Sequence, residues 1–379
     1  MSHYDELETQ APEARRERQD AALRAVAGIG LDDLSAQPVL RKSDLIERQA
    51  EDPPFGGLTV GNVAQVFQSP GPIYEPGGVT HDWWRLGRFL HAAGIGSMDV
   101  VQNCFGYHLT PAGHIFESGA RAVDAVVIPA GTGQTDLQVR AAKDVGATAY
   151  AGTPDYLKVI LDRADEMGVG LGFRRAAVSG GALFPSLRQE YADRGIQTLQ
   201  CYATADLGLI AYESPAQEGM IVDEGVIVEI VTPGTGEAVP EGEVGEVVVT
   251  SLNPDYPLVR FATGDLSAVL PGPSPCGRTN MRIKGWMGRA DQTAKVKGMF
   301  VRPEQVAELV AGVDGLERVR LVVTREGERD VMAIRYEGTA EPETVAARAG
   351  DVLKLKGAAE RRDDLPRDGV VIEDARTYD

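Results

Sequence analysis

The chain has 379 residues, of which 43% are hydrophobic and 25% charged, and its formal net charge is -18. This length accommodates two domains with their own cores, and the acidic excess argues against non-specific binding to nucleic acid but not against a local anion site. Three widely separated cysteines, expected to be buried, and the lack of a membrane-length apolar run or a signal region predict a cytoplasmic protein that is not a membrane protein.

The first 50 residues are rich in charge, and their apolar positions have helical spacing. They predict packed N-terminal helices. Within residues 38–45, Ser43 is the expected N-cap of a helix, because its hydroxyl oxygen can accept a hydrogen bond from the first turn.

From residue 123 onward, short β-branched runs alternate with helical patterns. The expected strands are 123–128, 148–151, 176–179 and 196–202, and the expected helices begin at residues 135, 154 and 185. Thr153 and Pro154 mark one helix start, because proline is favoured at the first helical position. This alternation predicts a layered α/β domain.

The pattern changes after residue 220. Two β-branched runs, 225–231 and 244–251, are joined by a Gly/Pro-rich connection, which predicts a small β-rich subdomain. A helix at 303–310, strands at 316–324 and 331–336 and a helix at 343–355 then predict a compact α+β domain.

The stretch from residue 261 to residue 301 is interpreted as the junction between these regions. An apolar run ends on an expected turn at Gly264 and Asp265, and a second Gly-bounded turn carries Arg289 and Asp291. Such turns are typical of a hinge. The sequence therefore predicts a large α/β domain over residues 1–289 and an α+β domain over residues 290–379.

Two further turns follow expected strands. Gly180 and Gly181 would let a backbone approach a planar ligand closely, although an ordinary βα turn has the same composition. In the second turn, Tyr202 could stack on a purine and Asp206 could bind Mg²⁺, although a capped turn with a buried tyrosine explains the pattern equally well.

The turns at residues 180–182 and 202–206 and the stretches 260–265 and 288–291 occur in the order that is expected of adenylate-forming enzymes, which this chain resembles. More closely, residues 38–379 resemble the phenylacetate–CoA ligase branch, and the supporting stretches are residues 105–113, 127–135 and 152–157. Residues 38–45 resemble the helical segment that leads into the phosphate loop of that branch. The resemblance implies ATP or AMP, Mg²⁺ and CoA as cofactors, a small carboxylic acid as substrate, and a homodimer.

The resemblance also implies a role for individual residues. Those that would bind the nucleotide are Gly180, Gly181, Ala182, Cys201, Tyr202, Ala203, Thr204, Asp265 and Arg289. Phe105, Tyr107 and His108 would flank the acyl pocket. Thr204 and Asp206 would act in catalysis, Asp206 as the magnesium ligand, while Asp291 would be the hinge pivot and Gly298 would help to form the thiol channel.

Three departures from the family pattern bear on chemistry. The phosphate loop, residues 68–78, contains three prolines and Glu75 but no lysine, which predicts weaker binding of a triphosphate. Asp206 stands in place of the family's glutamate. Val370 stands in place of the C-terminal catalytic lysine, and an apolar side chain cannot stabilise phosphoryl charge. Lys295, Lys297 and Arg367 are the candidates to replace it.

The leading hypothesis is ATP-dependent activation of an aryl acid through an acyl-adenylate, followed by transfer to CoA. Two alternatives stay open. The first is a specialised biosynthetic enzyme that passes its activated group to another acceptor. The second is a nucleotide-binding homologue that has lost catalysis.

Overall fold

The chain forms two structural units. The structure is a computed structural model that describes residues 3–69, 72–181, 183–290, 292, 294–296, 299–326 and 329–376. The first unit comprises Met1–Val228, Val249–Phe261 and Leu270–Gly285, and the second comprises Glu229–Val248, Ala262–Val269 and Trp286–Asp379. The domain boundary expected between residues 289 and 290 stays a prediction.

The helices and strands of the N-terminal 225 residues belong to the first unit. Two short 3₁₀ helices span Glu6–Thr9 and Leu31–Ala36. The α-helices are α1 (Pro12–Ala27), α2 (Lys42–Glu51), α3 (Leu86–Ala92), α4 (Ala112–Ala122), α5 (Thr135–Val145), α6 (Pro154–Glu166) and α7 (Pro185–Asp193). The strands are β1 (Leu40–Arg41), β2 (Gln65–Ser69), β3 (Ile73–Gly77), β4 (Val100–Asn103), β5 (Val126–Pro129), β6 (Ala149–Gly152), β7 (Arg175–Val178), β8 (Gln197–Thr204), β9 (Gly208–Glu213) and β10 (Met220–Val222).

Five parallel strands form the centre of this unit. Their order is β5–β4–β6–β7–β8, after which β9 and β10 continue the sheet with antiparallel pairing. Helices supply the crossovers that parallel strands require, and α6 is representative: Pro154 starts it, and Leu157, Ile160 and Ala164 on its inward face are buried. The expectation of a layered α/β fold is confirmed.

The remaining elements follow in chain order. They are β11 (Val226–Val231), β12 (Val244–Ser251), β13 (Phe261–Leu270), β14 (Arg282–Ile283), β15 (Ala294–Val296), β16 (Met299–Val301), α8 (Pro303–Ala311), β17 (Leu316–Glu326), β18 (Arg329–Gly338), α9 (Pro342–Leu353), β19 (Ala358–Arg361) and β20 (Ile372–Asp374). In the second unit, four strands form a sheet in the order β19–β18–β17–β20, and Leu321 and Ile334 of this sheet share a buried core with Val345 of α9. The expected C-terminal α+β region is therefore present.

Two local expectations are wrong. Helix α2 begins at Lys42, because the carboxylate of Asp44 accepts a hydrogen bond from the N–H of Arg41 at 3.0 Å, so Ser43 lies inside the helix and does not cap it. Asp265 lies within β13 and does not occupy a turn. Gly264 has a φ of +73°, which lets the strand deform locally without ending.

Buried ion pairs attach the N-terminal segment to the rest of the first unit. Glu8 and Arg278 lie 3.0 Å apart with 1% of each side chain exposed, and Arg15 pairs with Glu224 at 3.1 Å. Removing one partner of such a buried pair strongly destabilises a protein, because the other charge is left without compensation.

Neither a membrane span nor a disulfide is present in the part of the chain that the structure describes. No helix there combines the length and apolar composition that crossing a membrane needs. The cysteines Cys104, Cys201 and Cys276 are free and buried, as expected.

Candidate active site

Most of the predicted site residues of the first unit follow the carboxyl ends of neighbouring parallel strands. Phe105 follows β4, Gly180 follows β7, and Tyr202 and Thr204 lie at the end of β8. Because β4, β6, β7 and β8 are parallel, these ends meet at one edge of the sheet. Ligands of open α/β sheets bind outside this edge.

The glycine turn lies against a predicted acyl-pocket residue. Gly180 has a φ of +70°, and a Cβ atom placed on it would lie 3.7 Å from both Phe105 Cε1 and Thr153 Cγ2. The turn therefore needs glycine for its backbone conformation rather than for lack of space. Ala182, the third predicted member, lies outside the described residues.

The end of β8 places a carboxylate in a buried position. Thr204 Oγ1 accepts a hydrogen bond from the N–H of Leu207 at 3.2 Å, which holds the turn that carries Asp206. Tyr202 is 9% exposed and Asp206 is 4% exposed. Cys201 is buried too, and burial raises the pKa of its thiol to about 12.

The cation that faces Asp206 comes from an unexpected part of the chain. Lys42, at the start of α2, places Nζ 3.0 Å from Asp206 Oδ2, and its side chain is 35% exposed while that of Asp206 is 1% exposed. Lys42 lies within residues 38–45 but is not among the predicted site residues. Its proximity in sequence to the lysine-free phosphate loop was the available signal.

The segment before Lys42 is fixed by Arg260. The guanidinium of Arg260 donates hydrogen bonds to the carbonyl oxygens of Ser35 at 2.9 Å and Gln37 at 2.7 Å, and Leu40 N–H donates to the Arg260 carbonyl at 3.0 Å. These backbone contacts determine where α2 starts, and hence where the Lys42 ammonium lies.

The predicted phosphate loop, residues 68–78, includes parts of two paired antiparallel strands, β2 and β3. Hydrogen-bond donors at the end of β2 are bound by a side chain of β3. Strands β2 and β3 pair from Gln65 and Gly77 to Ser69 and Ile73. Glu75 is fully buried and accepts hydrogen bonds from the Ser69 hydroxyl and from the Ser69 N–H, the latter at 3.2 Å. Burial raises the pKa of Glu75 to about 7, and the negative charge of Asp206 contributes to the rise.

The donor set fits a magnesium ion that keeps water or substrate ligands. Asp206 Oδ1 is buried and has no hydrogen-bond partner in the described structure, and a carboxylate oxygen is a ligand that Mg²⁺ prefers. No group of three or more histidine, cysteine or acidic side chains that could hold a metal occurs among the residues described. An ion there would therefore bind through few protein ligands, which is usual for Mg²⁺ beside substrate phosphates.

The predicted acyl-pocket residues differ in exposure. Phe105 is buried and stacks on Phe116 with ring centroids 4.3 Å apart, whereas His108 is exposed. Tyr107 accepts a hydrogen bond from Asn103 Nδ2 at 2.8 Å, and burial raises the pKa of its hydroxyl. The ring of His114, which the sequence analysis did not single out, lies 5.1 Å from that of Tyr107.

Asp265 and Arg289 are paired in the second unit. Arg289 Nη1 donates to Asp265 Oδ1 at 3.0 Å, Trp286 Nε1 donates to the same oxygen at 3.1 Å, and the backbones of Asp265 and Arg289 form an antiparallel bridge. A Cβ atom at Gly264 would lie 2.8 Å from Arg289 Nη2, so this glycine lets the guanidinium lie against the strand. Trp286 was missed because a single tryptophan carries no distinctive spacing.

The structure describes only some of the residues that were predicted to form the hinge or to replace the catalytic lysine. Asp291, Lys297 and Gly298 lie outside the described residues, and Lys295 lies in β15. Val370 is half-buried and lines a cavity of about 440 Å³ in the second unit. Arg367, another candidate replacement for the lysine, pairs with Glu243 at 3.0 Å.

Comparison with solved structures defines the class of fold. A 2-hydroxyisobutyryl-CoA ligase solved with 2-HIB-AMP and CoA matches 97% of this chain and 91% of its own, with a TM-score of 0.69 and 23% identity. The same ligase in its postadenylation state gives a TM-score of 0.68 at 22% identity over the same shares. The chain therefore has the fold of the adenylate-forming ligases.

Comparison with curated proteins identifies the family. The phenylacetate–coenzyme A ligase of Thermus thermophilus is 30% identical over 332 residues, which cover 83% of this chain and 74% of the relative. The ligase of the same name from Pseudomonas putida is 29% identical over 82% of this chain and 74% of its own, while no family model matches. The chain belongs to the phenylacetate–CoA ligase family.

Proposed function

We propose that this protein is an AMP-forming acid–thiol ligase that activates a carboxylic acid with ATP and transfers the acyl group to CoA. The observation that carries this proposal is the 30% identity to a phenylacetate–coenzyme A ligase over 83% of the chain. The site geometry agrees with it, because a buried carboxylate and a partly exposed cation lie beside the end of β8.

The proposed reaction has two half-reactions. In the first, an oxygen of the acid forms a bond to the α-phosphorus of ATP, and the bond to the β-phosphate breaks with its electron pair leaving on pyrophosphate. In the second, the CoA thiolate forms a bond to the acyl carbon, and AMP leaves with the electron pair of the acyl–oxygen bond. Holding the reactants in line supplies much of the rate in both steps.

Residues of the first unit have roles in binding the nucleotide. Gly180, Gly181 and Ala182 would line the adenine, together with Cys201 and Ala203 beside Tyr202, which would stack on it, while Thr204 would lie near the phosphates. Asp206 would hold Mg²⁺, which neutralises phosphate charge when bound. Its unpartnered Oδ1 supports this role.

Lys42 is our candidate for the cation that the phosphate loop lacks. It is anchored on a buried carboxylate at 3.0 Å, yet 35% of its side chain is exposed and can contact an anion. A lysine ammonium binds phosphate as a point charge, so it need not lie within the loop itself.

Residues of the second unit have roles in binding the ribose and in the second half-reaction. Asp265 would accept hydrogen bonds from the ribose hydroxyls, and Arg289, which already contacts it, would hold the carboxylate in orientation. Asp291 would be the hinge pivot. Val370 in place of a lysine implies a slow first half-reaction, with Lys295, Lys297 or Arg367 as substitutes.

An aryl acid is the proposed substrate class. Phe105 stacks on Phe116 and would provide an apolar aromatic wall, and Tyr107 and His114, each two residues away in sequence from one of these rings, contact each other edge to edge and would supply polar groups. Aromatic walls with few polar groups are typical of pockets for such ligands. His108, being exposed, would contact the acid only at the pocket rim.

The test is a survey of acids with two readouts. Pyrophosphate exchange into ATP measures the first half-reaction, and thioester formation with CoA measures the second. We expect both with at least one aryl acid, and we expect Asp206→Asn to abolish them while Asp162→Asn, at a surface aspartate of α6, does not. No exchange and no AMP release with any acid would refute the proposal. AMP release without a thioester would instead indicate another acceptor.

Two further proposals concern the location and the oligomeric state of the protein. We propose a cytoplasmic location, supported by free cysteines that are all buried, and a homodimer, which the family resemblance implies. Light scattering on the purified chain measures the second; a mass near 40.5 kDa at micromolar concentration would contradict it.

A further inference from the structure

The phosphate loop contains an anion of its own. At the end of β2, the backbone N–H and the hydroxyl of Ser69 both donate to the carboxylate of Glu75, which lies on the facing strand β3. These donors are the kind that a phosphate oxygen would use. A carboxylate has two acceptor oxygens, as a phosphate has several. Glu75 therefore binds the two Ser69 donors in the way that a bound anion would.

A second carboxylate increases the negative charge around this position. Glu75 is fully buried and Asp206 is 4% exposed, and the charge of Asp206 opposes ionisation of Glu75. The positive charge of Lys42 favours ionisation of Glu75, and its ammonium group lies 3.0 Å from Asp206. With both carboxylates ionised, the group carries two negative charges and one positive charge.

Tyr256 completes the buried group. It is 2% exposed, and its hydroxyl has no hydrogen-bond partner in the part of the chain that is described. Burial raises the pKa of Tyr256, and the charges of Asp206 and Glu75 raise it further, so the phenol stays neutral and available as a donor. A neutral donor beside two carboxylates, with an unpartnered Asp206 Oδ1, indicates that the group is built to receive another ligand.

We propose that Glu75 is a specificity-determining residue that disfavours a polyphosphate chain relative to an AMP moiety, by occupying the loop's anion-binding donors with its own carboxylate. This inference rests on the proposed function. ATP and pyrophosphate must displace or protonate this carboxylate, whereas an adenylate, which has no β- or γ-phosphate, does not. The enzyme would thereby release pyrophosphate readily and retain the acyl-adenylate.

The pH dependence has a definite sign. Burial raises the pKa of Glu75 to about 7, with Asp206 opposing ionisation and the Ser69 hydrogen bonds and Lys42 favouring it. Below pH 7 the group is mostly neutral and repels phosphate less. Above pH 7 it is charged, so affinity for pyrophosphate falls as the pH rises. Pyrophosphate itself titrates in this range, and the comparison is therefore made between wild type and a variant that cannot ionise.

The experiment is calorimetric titration of the full chain with ATP, pyrophosphate and AMP at pH 6 and pH 8. Glu75→Gln keeps the shape of the side chain and an acceptor for Ser69 but removes the charge. Glu47→Gln removes the same charge from an exposed position of α2 and serves as the matched control. Thermal unfolding of each variant establishes that it is folded.

We expect Glu75→Gln to bind pyrophosphate and ATP about tenfold more tightly than wild type at pH 8, as removal of one nearby partly screened charge implies. We expect a smaller difference at pH 6 and no change for AMP. Equal affinities of wild type and Glu75→Gln for pyrophosphate at pH 8 would overturn this inference alone, as would a matching gain in Glu47→Gln. If Glu75→Gln does not fold, Glu75→Ala replaces it in the same comparison, and an affinity for pyrophosphate at pH 8 equal to that of wild type overturns the inference. Absence of ATP and AMP binding by wild type would overturn the proposed function as well.

Discussion

Replacing Lys42 by methionine removes an ammonium group while keeping most of the side-chain volume. In the structure, Nζ lies 3.0 Å from Asp206 Oδ2, and in the complex with ATP the same group would face a phosphate oxygen. A hydrogen bond to a charged group contributes about 1.5–3 kcal/mol. Because 35% of the Lys42 side chain is exposed, water and salt screen the interaction, and the lower half of that range applies.

A loss of about 1.5–2 kcal/mol corresponds to roughly a 10- to 30-fold fall in kcat/KM for ATP. The assay is pyrophosphate exchange at varied ATP concentration with a saturating acid. Lys42→Arg, which keeps the charge, should retain most of the activity. Lys158→Met serves as the control, because Lys158 is a surface cation of α6 that pairs with Asp162 and Glu190. The reasoning is refuted if Lys42→Met keeps kcat/KM within about twofold of wild type, or if Lys158→Met loses as much.

Three further predictions follow from the second unit and from the N-terminal ion pairs. Val370→Lys should raise the rate of adenylate formation by about tenfold or more, as one correctly placed charge can, and leave thioester formation from a supplied acyl-adenylate unchanged; a single-turnover assay of each half-reaction measures this, and equal rates of the first would contradict it. Asp265→Ala should weaken AMP binding by roughly 30-fold and abolish any preference for AMP over 2′-deoxy-AMP, since two hydrogen bonds to ribose are lost; calorimetry with both nucleotides tests it, and a retained preference argues against a ribose role. Arg278→Met removes the nearer cation from Glu8, which is 1% exposed, and leaves it with Arg88 at 4.0 Å, so the free energy of unfolding should fall by about 3 kcal/mol, the lower end of the range for a broken buried pair, measured by urea denaturation; a loss under about 1 kcal/mol would contradict it.

The sequence predicted those parts of the fold that depend on local periodicity. Leu157, Ile160 and Ala164 recur at helical spacing, so the buried face of α6 followed from the sequence alone. The alternation of such helices with short strands was sufficient for the layered α/β class. The order of the glycine, tyrosine and aspartate turns was sufficient for the family, which the comparison with the Thermus thermophilus ligase supports.

Sequence patterns were less reliable where the same residue types are compatible with two backbone conformations. Gly264 and Asp265 have the composition of a turn, but in β13 they form an interior part of the strand. Ser43 is a good N-cap residue, but the N-cap position is occupied by Arg41, two residues earlier, whose N–H donates to the carboxylate of Asp44. In both cases neighbouring groups, rather than residue preference, selected the conformation. The assigned roles of the site residues remain predictions.

The tertiary structure alone decided which charges lie together. Lys42 and Asp206 are 164 residues apart, and no periodicity connects them, so their pairing could be found only from the folded chain. Glu75 reads in sequence as an added negative charge, whereas its burial and its hydrogen bonds to Ser69 make it an internal ligand of the loop. Electrostatic interactions depend on distance in space and on burial, and a sequence specifies neither before the chain has folded.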